Sequence, residues 1–192
     1  MGDARGDLAR LVGERLRAVR RERGLSVGAL ADAAGVGKGS LSEIENGGRN
    51  PTLSTLYSLA GALGLPLATL LVGQPGATVA SPGVSARLVD VSQDGDWTVE
   101  VYRLSLRPGP AHRSPAHGPG VTEHLLVTAG RVRAGPAGAE QEAGPGESVT
   151  WTSDGEHGYA ALGDEPVASV LVIRSPLLRS ASNDDSALGD QE

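Results

Sequence analysis

Two short stretches carry residue types that could do chemistry. The first is GKGSLSEIEN, residues 37–46, which holds Lys38, the only lysine in 192 residues. At helical spacing Leu41 and Ile44 set the inward direction. Gly39 then points almost directly away, Ser42 and Glu43 flank it, and Lys38 lies at the shoulder near the helix N-terminus. A small, polar outward face lets a helix backbone approach base edges in a DNA major groove, which is about as wide as a helix. The second stretch is VTEHLLV, residues 121–127. Side chains of a strand alternate between faces. Val121, Glu123, Leu125 and Val127 share one face, and Thr122, His124 and Leu126 share the other. The more apolar face turns inward and takes Glu123 with it. A buried carboxylate requires a metal, a hydrogen-bond donor or a ligand.

These stretches need different scaffolds. The first half of the chain reads as helices. Leu8, Leu11, Val12, Leu16 and Val19 form one apolar stripe ended by Gly24. Ser26 is a good N-cap for a second helix ending at Gly35. The third helix is the stretch around Lys38, ended by Gly47 and Gly48. Thr52 caps a fourth, with Leu53, Leu56, Tyr57, Ala60 and Leu63 on one face, and Pro66 sits in the first turn of a short fifth. No strand signal precedes residue 84. Residues 72–83, VGQPGATVASPG, read as a flexible linker. Beyond them, ARLVDV, WTVEVYRLSL, TEHLLVTAG, ESVTWTS and VASVLVIR are separated by Gly- and Pro-containing turns, the pattern of an antiparallel sandwich or barrel. Residues 176–192 are polar and acidic and read as a disordered tail.

Composition narrows the classes. The length suits one or two domains. Phe is absent and Trp and Tyr total five, so the cores are built from Leu, Val, Ala and Ile. Zero Cys excludes disulfides, thiolate metal sites and cysteine nucleophiles. No apolar run approaches a membrane span. The start of the chain, MGDARGDLARLVGERL, lacks an apolar signal core, so a cytoplasmic protein with no membrane partner is expected. Charge is divided unevenly. Residues 1–73 carry a net +2 and residues 74–192 a net -8, giving -6 overall. A basic first half inside an acidic chain points to nucleic-acid contact there.

The stretch RLRAVRRERGLSVGALADAAGVGKGSLSEIENGGRNPTLSTLYSLAGALGLPLATLL resembles the DNA-binding domain of the Xre family, which includes the lambda-type phage repressors. GLS before the second helix, SLSEIENG across the third, NPTLSTL into the fourth and ALGLPL before the fifth carry the likeness. The resemblance implies a five-helix lambda-repressor-like domain over residues 8–71, a homodimer, and double-stranded operator DNA as partner. It places Lys38, Gly39 and Glu43 where bases are reached. A lysine there could donate to guanine and a glutamate could accept from a cytosine amino group. Ser42 shares their outward face. Ser26 and Ser40 match phosphate-contacting positions, and Arg49 and Asn50 follow the helix where backbone is contacted. Many relatives carry Gln at the position of Glu43. Arg20 and Glu45 match a pair that ties the first helix to the third.

Residues 84–175 resemble a small cupin domain, a β-barrel of the double-stranded β-helix type. In AHGPGVTEHLLVTAGRV, His117, Glu123 and Gly130 match the first cupin motif, but Pro119 stands at the second His. Gly146 and His157 match the second motif, while Thr152, Asp154 and Ala161 replace other members. The resemblance implies that His117, Glu123 and His157 hold a divalent metal such as Fe, Mn or Zn. The alternative is that they hydrogen-bond each other inside a ligand pocket, with no cofactor required. His112, on a Pro-rich stretch, is expected to be exposed and incidental. Trp97, Trp151, Tyr102 and Tyr159 are either barrel core or pocket wall. The whole reads as a transcriptional regulator that binds DNA and senses a small-molecule effector, not as an enzyme. A metal-dependent cupin oxygenase or isomerase bearing a DNA-binding domain, and a cupin scaffold that only dimerises, are the alternatives. The flexible composition of residues 72–83 leads to the expectation that any signal passes through the dimer interface.

Overall fold

The computed structural model describes residues 4–71 and 74–177. Most of the expected tail, from residue 178 on, lies outside them. Five helices come first: α1 (Ala4–Glu22), α2 (Val27–Ala33), α3 (Lys38–Glu45), α4 (Leu53–Ala62) and α5 (Leu67–Leu70). Local chemistry sets their ends. Ser26 Oγ accepts from the Ala29 N–H, and Thr52 Oγ1 accepts from the Thr55 N–H. Each satisfies an otherwise unpaired donor of the first turn. Pro66 occupies the N-cap position of α5 rather than its first turn, where its missing N–H again costs nothing. Val12, Leu16 and Val19 of α1 close over Leu30, Leu41, Ile44, Leu56 and Leu59, whereas Leu8 and Leu11 are only half-buried. Each fully buried aliphatic side chain contributes about 1.5–3 kcal/mol. The core therefore outweighs the weak propensity of helices this short.

Ten strands follow: β1 (Thr78–Ser81), β2 (Val84–Asp94), β3 (Trp97–Leu106), β4 (His112–Ser114), β5 (Thr122–Ala129), β6 (Val132–Pro136), β7 (Gln141–Ala143), β8 (Ser148–Thr152), β9 (His157–Ala161) and β10 (Val167–Pro176). A six-stranded sheet runs β1-β2-β3-β10-β5-β8, and a four-stranded sheet runs β4-β9-β6-β7. All pairings are antiparallel. The two sheets share one buried apolar core, the two-sheet arrangement that the cupin resemblance implies. Leu88, Tyr102, Leu104, Leu125 and Leu171 are buried on the large sheet, and Val132, Ala134 and Tyr159 on the small one. Gly130 fits the cupin motif for a steric reason. A Cβ there would lie 2.5 Å from the Pro166 carbonyl oxygen, with φ at +73°.

Residues 72–83 correct the sequence reading. Instead of a linker throughout, they contain β1, which pairs with β2 from Thr78↔Arg87 to Ser81↔Val84 and buries Val79. The Gly and Pro residues that suggested a linker bracket a four-residue strand, and Pro82–Gly83 form its two-residue hairpin turn. The helical part is not held at a distance. Ser54 of α4 donates its N–H to Ser81 Oγ at 3.3 Å, and the Ala68 N–H donates to Glu100 Oε1 on β3 at 2.5 Å. One continuous set of buried apolar residues runs from the helices into the sheets.

Candidate functional sites

Two surfaces meet the chemical description. On α3, Leu41, Ile44 and Glu45 are buried, while Lys38, Gly39, Ser42 and Glu43 are exposed and Ser40 is half-buried. The helix is held by an ion pair beneath it. Arg20 Nε and Nη2 donate to the two Glu45 carboxylate oxygens at 2.6 and 2.8 Å, and Nη1 donates to the Leu25 carbonyl at 2.7 Å. Such a bidentate pair fixes orientation as well as distance. Arg49 follows on the exposed side. Its Nη1 donates to Ser40 Oγ at 3.0 Å and lies 3.5 Å from Glu43 Oε2. Glu43 is therefore partly offset by a neighbouring cation, which eases a carboxylate on a face that would meet phosphates. Asn50 is exposed beside Arg49, and Ser26 spends its hydroxyl on capping α2.

The second site is assembled from three separate places. His117 comes from the loop between β4 and β5, Glu123 from β5 in the large sheet, and His157 from β9 in the small sheet. Register brings them together: Ser114 pairs with His157, and Glu123 pairs with both Trp151 and Ile173. His117 Nδ1 lies 3.0 Å and His157 Nε2 3.1 Å from Glu123 Oε1. One ligand atom from each of the three residues falls within 4.8 Å of the others. All three side chains are buried, and His124 points outward to Thr150 as strand alternation requires.

Electrostatics separate the members of this cluster. Burial by itself would raise the Glu123 carboxyl, but the two imidazoles outweigh it and hold the group well below the usual carboxylate range. Burial lowers His117. Burial also works against protonated His157, yet its hydrogen bond and charge attraction to Glu123 leave it raised. The cluster is thus an ionised carboxylate between two imidazoles that are shifted in opposite directions, His117 down and His157 up. Its donors also fit a metal. Both His117 ring nitrogens and His157 Nε2 are buried without a well-aligned hydrogen bond, although two of them approach Glu123 closely. Convergent nitrogen lone pairs beside a carboxylate are the donor set of a two-His, one-carboxylate centre for Fe, Mn or Zn.

Sequence reasoning missed two members of the site, Ser153 and Tyr57, left Tyr159 and Trp151 open between core and pocket wall, and misplaced His112. Ser153 Oγ donates to Glu123 Oε1 at 2.6 Å, and the Tyr159 hydroxyl donates to Glu123 Oε2. Tyr159 was legible in part, since it lies two residues after His157 on the same strand and so on the same face. Trp151 is buried near both, with its ring 5.8 Å from Tyr159 and its Nε1 lacking a partner. The second missed member, Tyr57, comes from α4. Its ring stacks on His117 at 3.9 Å between centroids and 15° between planes. His112, expected to be exposed, is buried. It sits on β4 opposite Tyr159 in the register, and cross-strand pairing turns it into the barrel wall. Of the other aromatics, Tyr102 is core and donates to Glu100 at 2.9 Å, while half-buried Trp97 lies under the Arg174 guanidinium.

Comparison with known proteins agrees with this organisation. The HTH_3 (Helix-turn-helix) family model matches residues 16–70. The HTH-type transcriptional regulator SutR of Escherichia coli (strain K12) is 30% identical over 174 residues, covering 88% of this chain and 98% of that protein. The immunity repressor protein of Bacillus phage phi105 is 42% identical over 60 residues, 31% of this chain and 42% of that protein. The crystal structure of an HTH_3 family transcriptional regulator from Vibrio cholerae superposes with a TM-score of 0.79 at 24% identity, covering 90% of this chain and 99% of that one, and so shares the fold. Among the described residues, no helix is long and apolar enough to cross a membrane.

Proposed function

Starting from a chain that belongs to the HTH-type transcriptional regulators, with an Xre-type DNA-binding domain joined to a cupin domain, we propose that it reads operator DNA through α3 and senses a small molecule through the His117–Glu123–His157 site. One observation carries the DNA half. The exposed face of α3 is small and polar, mounted on a buried Arg20–Glu45 fork. Lys38 and Glu43 are the side chains that discriminate bases, with Gly39 and Ser42 permitting the approach. Ser26, Ser40, Arg49 and Asn50 hold the phosphate backbone on either side. Such contacts fix register and carry no sequence information themselves. The protein acts as a homodimer in the cytoplasm, and twofold symmetry makes its operator a pseudo-palindrome.

The sensing half rests on the cost of the site. A carboxylate and two imidazoles in an apolar interior are unfavourable unless something uses them. A divalent cation would be held by His117, Glu123 and His157, and would supply a Lewis-acidic centre to which an effector binds. Ser153 and Tyr159 orient the carboxylate by donating to it. Pro119 leaves this set one imidazole short of the cupin pattern, which favours sensing over turnover. Footprinting of the full-length protein on its own promoter region tests the reading. Two protected half-sites with centres about one helical turn, roughly 34 Å, apart are expected. A single unpaired half-site contradicts the dimer, and no protected site contradicts the DNA reading.

A further inference from the structure

The sensing site is closed on one side by the DNA-binding domain itself. Ser54, Tyr57 and Gly61 lie at three- and four-residue steps along α4, so they form one stripe. Each meets the β domain. The Ser54 and Ser81 hydroxyl oxygens are 3.2 Å apart. Tyr57 stacks on His117. Gly61 comes so near the loop carrying His117 that a Cβ added there would lie 3.1 Å from the Ala116 carbonyl oxygen. At the far end of this contact, Glu100 on β3 accepts the Ala68 N–H of α5. The cavity left beside His117, bounded by Tyr57, Gly61, Leu67 and Glu100, is about 10 Å³. That volume holds one water at most. A small organic ligand needs tens of times more. The contact is nevertheless not sealed all round. A cleft of about 560 Å³ lies between the domains, lined by Arg15 and Thr69 on one side and Gln93 and Thr98 on the other.

From this geometry, and resting on the sensor reading above, we infer that the α4–α5 face is the removable cover of the His117–Glu123–His157 site. Docking of the helical domain and entry of an occupant are alternatives. A ligand that approaches His117 displaces Tyr57, and α4 moves with it. Because α3 and α4 both pack on α2 within the helical domain, lifting α4 carries the DNA-reading helix along. The route is direct contact within one chain, not the dimer interface that the composition of residues 72–83 suggested. A ligand shifts such an equilibrium only by its differential affinity for the two arrangements.

The chain contains no cysteine, so the cover can be locked reversibly. The double variant Ser54→Cys with Ser81→Cys, in the full-length protein, places two thiols where hydroxyls now sit within bonding reach of each other. Oxidised, it cannot lift α4; reduced, it can. The probe is Co²⁺ alone, followed by its absorption and by metal content. Uptake at least tenfold slower in the oxidised form than in the reduced form is expected. Gly61→Leu, which wedges the contact open, should load at least tenfold faster than wild type. Equal uptake by oxidised and reduced forms would overturn the proposal. If no form binds Co²⁺, the metal reading fails and the cover is tested separately through carbethoxylation of His117 by diethyl pyrocarbonate, located by peptide mass. Protection in the oxidised form and release on reduction would support the cover. Equal reactivity of His117 in both forms would overturn it.

Discussion

The outward face of α3 and the His117–Glu123–His157 cluster belong to one chain and are built in opposite ways. The α3 face is local: eight consecutive residues place apolar groups beneath and small polar groups above. It is open to solvent, and on the proposed reading nothing must move for DNA to reach it. The cluster is nonlocal: a loop and two strands from different sheets bring it together, and α4 covers it. Its charges are desolvated, so each depends on its neighbours. The comparison teaches that recognition of a large polyanion can sit on a presented surface. Holding a small ion or ligand requires enclosure, and enclosure makes access a question of domain position.

Breaking the platform under the open face should have the largest effect. Arg20→Ala leaves the buried Glu45 carboxylate with only Arg17 Nε, 3.9 Å away and half-exposed, at a cost on the order of 3 kcal/mol in chemical unfolding. DNA affinity falls with it, because α3 loses its anchor. If stability stays within 0.5 kcal/mol (about the scatter of ordinary surface changes), the fork does not hold α3. Glu123→Ala tests the enclosed side. It leaves the Ser153 and Tyr159 hydroxyls without an acceptor, which costs about 2 kcal/mol, and abolishes Co²⁺ binding. The base preference of α3 should be unchanged, since the two sites share no residue. A changed preference would mean they are not separable in this way.

Glu43→Gln acts on the open face alone. It should alter base preference at one position per half-site by about 1–2 kcal/mol, read by competition among single-base operator variants, and leave folding unaffected. An unaltered profile would show that Glu43 meets no base. The smallest effect is pH dependence at the cover. Burial pushes the Glu100 carboxyl up to about 7, against hydrogen bonds from the Ala68 N–H and Tyr102, and the Glu123 charge adds to the rise. A pKa raised on folding means that the folded state favours the protonated form. The contribution of Glu100 to stability is therefore full below about 4.5 and is lost as pH rises through about 7. Exchange of the Ala68 amide should quicken between pH 5.5 and 8 beyond its intrinsic pH dependence, and Glu100→Gln should remove that excess. An excess that survives Glu100→Gln would assign it to another group.

What could be read from the sequence followed the range of the interactions involved. The helices were legible because periodicity, the Ser26 and Thr52 caps and the terminal glycines all act within a turn or two. The inward placement of Glu123 was legible because alternation is a property of one strand. Strand β1 was not, since four residues with one buried valine give little signal beside two Pro–Gly pairs. His112 was misjudged because Tyr159, its partner across the ladder, is distant in sequence. Tyr57 read as ordinary helix core. Its burial was foreseeable, but the ring it stacks on lies in another domain.

The claim that the chain is a sequence-reading regulator is tested most directly by competition binding of the full-length protein to a duplex from its own promoter region, against a scrambled duplex of the same length and at the same salt. The account predicts at least roughly 10³-fold preference for the promoter duplex, the lower end of specific recognition, and a preference reduced by Lys38→Ala. Equal affinity for the two duplexes would contradict it.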